Sequence, residues 1–214
     1  MTYPLIQSAH FTKGRGGHKP LWIFIHTMEC GESENKAEQV AKWFAGKTAP
    51  QASAHYCVDD KQIYQCVAES DTAWSVDDFD TNQKSISIEL AGSASQTIAQ
   101  WNDPYSKAQM ALTQKLVADI CKRNKIPLRR ITPAYINSDS PGIGGHVDVT
   151  QAKKIAGGHT DPGINYPYLA LIAGAKALTL PPVPHLLFTP PSLPAVVDDG
   201  NGRGRTRDEE GTAI

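Results

Sequence analysis

Apolar and polar positions alternate along this chain in three recognisable ways. "LWIFIH" is a continuous apolar run, Leu21 to Ile25, that ends on His26 and leads into a polar loop. Such a run predicts a buried strand with a histidine at its exit. In "SENKAEQVAKWFAG", Ala37, Val40, Ala41 and Phe44 recur at helical spacing, so one face of a helix is apolar. Ser33 is a suitable cap for its start, and Gly46 for its end. "SAHYCVDDKQIYQCVA" holds two β-prone runs around Asp59-Asp60-Lys61 and reads as a hairpin. "SISIEL", Ser85 to Leu90, alternates small polar with apolar residues and predicts a strand with Ser85, Ser87 and Glu89 on one face.

The second half is more helical. Ser106 to Asn124 carries the stripe Leu112, Leu116, Val117 and Ile120, with Pro127 soon after its end. A loop then leads to "GIGGHVDV", and a last helix is expected from Tyr168 to Leu178. Strands interleaved with helices predict an α/β fold, a central mixed β-sheet flanked by helices. After Leu180 the periodicity stops and proline, then glycine and charge, take over. The expected organisation is one domain over residues 1–180 and a Pro/Gly-rich tail or linker over 181–214.

Composition narrows the function. The 214 residues are 40% hydrophobic and 20% charged, which is globular, and the net charge of -1 supplies no basic field for nucleic acid. No apolar run is long enough for a membrane span, and "MTYPLIQSAHFTKGRGG" lacks the basic and apolar regions of a secretory signal. The expectation is a protein made in the cytoplasm, not inserted in a membrane and monomeric. Its four cysteines, with no C-x-x-C pair, read as reduced and mostly buried thiols.

Two polar clusters suggest chemistry: "GGHVDV", Gly144 to Val149, and "GHTDPG", Gly158 to Gly163. Zinc takes imidazole or carboxylate ligands, and a catalytic site needs only three from the protein. His26 at a strand exit, His146 in a glycine-rich turn and Asp161 before Pro-Gly are ligand types on three separate segments. Singly, each has a plainer reading. A strand-end histidine is more often hydrogen-bonded in the core, and "DPG" is a common turn. Glu89 reads equally as a solvated strand residue. His10, His18 and His185 read as solvent-facing, Asp59 and Asp60 as turn residues. Cys30 has no companion base to make it a nucleophile.

In combination the motifs are more specific. "IHT", "SAHYCVDD", "SISIEL", "GHVDV" and "HTDPG", in that order, resemble the type-2 N-acetylmuramoyl-L-alanine amidase superfamily, which includes phage endolysin amidase domains and peptidoglycan recognition proteins. The stretch from "WIFIHTMECGESENKAEQVAKWFAG" to "ASAHYCVDD" is most similar in wording to endolysins of actinobacterial phages. The resemblance runs from about Leu21 to about Leu178. It implies a peptidoglycan recognition protein-like fold, zinc (Zn2+) as cofactor, peptidoglycan as substrate, and hydrolysis of the lactyl–L-alanine amide bond. It implies His26, His146 and Asp161 as metal ligands, and Glu89 as the catalytic carboxylate. It implies His159 as a second catalytic group, one that stabilises the oxyanion; a lysine is usual there, and histidine leaves the charge dependent on pH. Asp148 is expected to orient a ligand, and His55 and Trp74 to contact substrate.

The chain also departs from the pattern. Ala54 replaces a tyrosine of the phage lysozyme relatives, and "AWSVDD" stands where many members read "AWHAG". Rival expectations are a peptidoglycan-binding module without activity, a cytoplasmic muropeptide-recycling amidase, and a zinc peptidase cutting within the stem peptide.

Overall fold

The computed structural model describes residues 3–180; the expected tail over 181–214 lies outside the described residues. Its centre is strand β2 (Trp22–Thr27), buried along its whole length. A strand covered on both faces must be apolar at successive positions, which is why "WIFI" shows no alternation. β2 pairs in parallel with β6 (Ser85–Leu90) on one side and β7 (Gly142–Gly145) on the other. Beyond β6 lie β3 (Tyr56–Val58), parallel, and β4 (Ile63–Gln65), the antiparallel return of the hairpin. The sheet order is therefore β4-β3-β6-β2-β7, the mixed sheet the alternation predicts. A two-stranded ribbon joins β1 (Phe11–Thr12) to β5 (Thr72–Ala73). Its strands are too short to carry a pattern.

Each sheet face has its own cover. Ile23 and Ile25 of β2 and Ile86, Ile88 and Leu90 of β6 form one core with α3 (Pro104–Asn124) and α6 (Tyr168–Thr179). The other face is divided. Trp22 and Phe24 pack with residues of α4 (Pro133–Asn137) and α5 (His146–Lys153). Cys57 and Cys66 pack with Ala37, Ala41 and Phe44 of α1 (Lys36–Ala45). Alternation places His26, Glu89 and Cys57 on this divided face, and register aligns them in a row: His26 opposite Glu89, Glu89 opposite Cys57. The gap between the two smaller cores is where the polar ends of β2 and β6 emerge.

Several local expectations are corrected. Ser33 does not cap α1: Asn35 holds the cap position without a side-chain bond, and the Ala37 amide instead donates to Asp59 at 3.0 Å. Asp59 is a turn residue, since it also accepts from the Lys61 and Gln62 amides, but it is fully buried. α3 starts at Pro104, two residues early, because Asp103 caps it through the Ser106 amide at 2.8 Å. The stretch read as a loop before "GHVDV" contains α4 and β7. "GIGG" has no side-chain signature of a strand, yet it is one, because its neighbours leave no room for side chains. A Cβ on Gly145 would collide with the Tyr168 hydroxyl and come within 2.6 Å of the Pro162 ring. His146 is thus the first residue of a helix, not part of a glycine-rich turn. Among the described residues, no helix is long and apolar enough to cross a membrane.

Candidate metal centre and its cleft

Three segments deliver three ligand-type groups to one point. β2 ends on His26, β7 hands over to His146 at the start of α5, and the loop after α5 brings Asp161. The last two segments are tied by their backbones, the Val147 amide donating to the Asp161 carbonyl at 3.0 Å. His26 Nδ1 lies 3.2 Å from Asp161 Oδ2, and His146 Nδ1 lies 3.3 Å from Asp161 Oδ1. All three residues are buried, and their potential ligand atoms lie within 4.8 Å of one another. Donor atoms around a tetrahedral ion with bonds of about 2.05 Å are spaced about 3.3 Å apart; each imidazole meets that spacing to one oxygen of Asp161, and the donor set of two imidazoles and a carboxylate suits a metal. The Nε2 atoms of His26 and His146 are buried without a partner.

Electrostatics follows from this crowding. Burial raises the Asp161 pKa, but the hydrogen bonds from His146 and His26 outweigh it and hold the carboxyl well below its ordinary range. Burial pushes the His146 imidazole down, against the pull of Asp161. Neutral imidazole and ionised carboxylate are the forms that bind a metal.

Glu89 is not a solvated strand residue. It lines the cleft, and its Oε2 is sealed from water with no hydrogen-bond partner. Burial first, then Asp161 and Glu29, raise its pKa well above the ordinary carboxyl value. His159 is exposed at the rim. It stacks on His146 with ring centroids 4.2 Å apart and its Nδ1 lies 3.6 Å from Asp161 Oδ1. The cleft these groups open into holds about 510 Å3. One wall is Val40, Trp43 and Phe44 of α1, and another is Trp74, Ser75, Val76 and Asp77. Trp74 therefore stands where substrate contact was expected, with its indole N–H donating to Thr12 at 2.9 Å. His10, read as solvent-facing, stacks on Trp74.

His55 does not line the cleft. It is fully buried, its Nδ1 accepting from the Ser87 amide at 3.0 Å and its Nε2 meeting the Asp71 carbonyl at 3.2 Å. The Arg15 guanidinium lies 2.9 Å from the same Nε2. Burial and Arg15 push its pKa down to about 3. His55 is a structural group, and a substrate contact is ruled out by its burial. Asp148 does not touch His146 either. Its Oδ2 accepts from the Gly145 amide at 2.8 Å and pairs with Arg130 at 2.8 Å, while Oδ1 accepts from Arg130 at 3.0 Å. Its influence on His146 is through the helix start. Cys30 is half-buried, and burial raises its pKa, the wrong direction for a nucleophile.

Sequence reasoning missed two groups. Arg130 lies in "LRRI", which has no motif, yet its guanidinium covers the Tyr168 ring at 4.0 Å and grips Asp148. Glu29 follows β2 with a left-handed φ of 48°, and its carboxylate bridges to the loop after β6 by accepting from the Ala94 amide at 2.9 Å. Neither position carries a signal in the chain, because both roles come from long-range packing.

The family Amidase_2, N-acetylmuramoyl-L-alanine amidase, matches residues 16–164. The N-acetylmuramoyl-L-alanine amidase CwlH of Bacillus subtilis (strain 168) is 29% identical over 117 residues, which are 53% of this chain and 43% of that protein. The chain thus matches less than half the length of this relative. The fold resembles Staphylococcus aureus hydrolase AmiA, solved with its ligand, with a TM-score of 0.62, 15% identity and 86% and 88% of the two chains covered. It also resembles a mutant endolysin from Bacillus subtilis, with a TM-score of 0.56, 18% identity and coverage of 82% and 99%. At such identities the structures speak for the fold alone. The family match spans most of the chain and every segment that builds the centre, and the chain belongs to the Amidase_2 family of N-acetylmuramoyl-L-alanine amidases.

Proposed function

We propose that this chain is a zinc-dependent amidase that hydrolyses the bond between the muramoyl lactyl group and L-alanine in peptidoglycan, and that it serves as a phage endolysin. The catalytic unit is residues 1–180, followed by a tail. The observation that carries the reading is the juxtaposition of His26, His146 and Asp161 with the unpartnered carboxyl of Glu89 in one cleft.

His26, His146 and Asp161 would hold the ion at the floor of the cleft. Zinc, when bound, supplies a Lewis acid that polarises the scissile carbonyl and acidifies water toward a pKa of ~7. Glu89 takes the proton of the attacking water and returns it to the departing alanine nitrogen. A carboxyl whose pKa is raised by burial and by neighbouring acids is matched to that shuttle. His159, exposed at the rim and braced against His146, donates to the developing oxyanion, a contact worth ~3 kcal/mol in comparable sites. Trp74 and the α1 wall orient the glycopeptide.

A peptidoglycan-binding module without activity is the second reading. The third ligand-type residue and the catalytic-type carboxyl are both present, which favours the enzyme. The test is digestion of purified wall followed by mass spectrometry. Intact lactyl groups and new L-alanine N-termini are expected. New termini within the stem peptide, or no cleavage with zinc present, would overturn the reading.

A further inference from the structure

Histidines aside, the ionisable groups around the cleft are all acids. Beside the histidines, the charged lining residues are Glu29, Asp77, Glu89 and Asp161. Glu89 and Asp161 belong to the metal centre. Glu29 and Asp77 do not, and they stand on different walls, one on the turn after β2 and the other between β5 and α2 (Phe79–Gln83). Glu29 is held in place. Its Oε1 accepts from the Thr27 hydroxyl at 2.5 Å and the Ala94 amide at 2.9 Å, and its Oε2 from Ser93 at 3.1 Å. Those partners are neutral, so they orient the charge without cancelling it. Glu29 also lines the two smaller hollows that adjoin the cleft, one toward Gln96 and one toward Thr160. Asp77 is exposed. The lysines beside these walls are engaged: Lys42 pairs with Glu38 at 2.6 Å, and Lys153 with Asp78 at 3.4 Å. Among the described residues, no lysine or arginine lines the cleft.

We propose that this cleft selects stem peptides whose carboxylates are masked as amides, D-isoglutamine rather than D-glutamate at the second position. The inference rests on the amidase reading. On this proposal the stem residue after L-alanine lies between these walls. A free carboxylate there meets like charge at Glu29 and Asp77, and no lysine or arginine of the lining answers it. A carboxamide carries no charge and donates N–H to the same acids. Selectivity then comes from repulsion of the wrong substrate as much as from attraction of the right one. A bound ion acts on the scissile carbonyl, and Asp161 offsets part of its charge.

The test compares kcat/KM of the full zinc-loaded chain on muramoyl-L-Ala-D-isoGln-L-Lys and muramoyl-L-Ala-D-Glu-L-Lys. The amidated substrate is expected to lead by about tenfold at low ionic strength. The gap is expected to shrink at about 0.5 M salt, because exposed charges are screened over a few ångströms there. Asp77→Asn should narrow it at low salt, and Asp77→Lys should narrow it further. Equal kcat/KM for the two substrates, or a preference for the free acid, overturns the proposal. If neither is cut at the lactyl bond, the amidase reading fails instead. Calorimetric binding of both peptides to Glu89→Gln decides the selectivity even then: a weaker Kd for the free acid supports it, and equal Kd values overturn it.

Discussion

Two buried histidine clusters lie along β6, and they are built on opposite principles. Near its start, His55 has both ring nitrogens occupied, Nδ1 accepting from the Ser87 amide and Nε2 donating to the Asp71 carbonyl, with the Arg15 guanidinium alongside. Near its end, His26 and His146 share one carboxylate and leave both Nε2 atoms unpartnered, with Glu89 Oε2 equally alone. Buried polar groups cost free energy when unpaired, so folded chains pair them. A satisfied cluster is complete as it stands. The second cluster instead sets two imidazoles and one carboxylate with ligand-type atoms within 4.8 Å of one another, a donor set that suits a metal ion. The comparison separates a histidine that serves the fold from histidines that serve a ligand, a distinction that "SAHY" and "FIHT" do not reveal as strings.

The sharpest way to break this contrast is to remove the shared carboxylate. Asp161→Ala should lose nearly all zinc after dialysis, measured by atomic emission, and wall-lytic activity with it. The two imidazoles lose their shared acceptor but can stay neutral, so the fold should survive with a lower Tm, as circular dichroism would show. Stoichiometric zinc in the variant would end the ligand assignment. Next in size is Glu89→Gln, which keeps shape but cannot take up a proton. It should retain zinc and lower kcat by about 10²–10⁴-fold on a soluble muropeptide. Turnover close to that of the parent would remove Glu89 from the chemistry.

The sequence discloses one half of this picture better than the other. β2, the hairpin, β6, α1, the long α3 and α6 are legible because each buries a face whose period matches its element. The ligand-type residues are legible because they stand at element ends beside glycine and proline. β7 and α4 are not, since "GIGG" is a strand through its neighbours' packing and α4 is a single short turn of helix. Asp148 shows the limit well. Its place two residues after His146 suggests a contact with the ligand, but the helix turns its carboxylate back to Gly145 and Arg130. His55 shows the converse: adjacent to β3 in the chain, it faces Arg15, forty residues upstream.

Arg130 links the two kinds of cluster. Its network is satisfied, yet it fixes the start of the helix that carries His146. Arg130→Met should weaken zinc binding by about 10–100-fold in a chelator competition, the range found when groups behind a metal ligand are removed. A merely structural role would lower Tm without changing affinity. Arg130→Lys, which keeps one contact to Asp148 but not the paired one, should recover part of the loss. Unchanged zinc affinity in Arg130→Met would detach this network from the metal centre.

The smallest expected effect tests the satisfied cluster itself. His55 is neutral in the folded protein because burial and Arg15 hold its pKa near about 3, while in the unfolded chain it titrates near ~6.5. The unfolded state therefore binds the proton first as pH falls. The stability that neutral His55 contributes is whole above ~6.5 and is lost progressively between ~6.5 and about 3. At pH ~5 the loss amounts to about 2 kcal/mol, or roughly 5 °C in Tm for a domain of this size. His55→Gln retains a donor for the Asp71 carbonyl and does not titrate. It should melt lower at pH 7, where the Ser87 amide lacks its acceptor, but its Tm should fall less steeply between pH 7 and pH 5. Both proteins are melted with chelator, so that the metal centre is empty in both and cancels in the difference. Parallel Tm curves for the two would mean that His55 takes up its proton inside the folded chain, and the contrast between the two clusters would lose its second member.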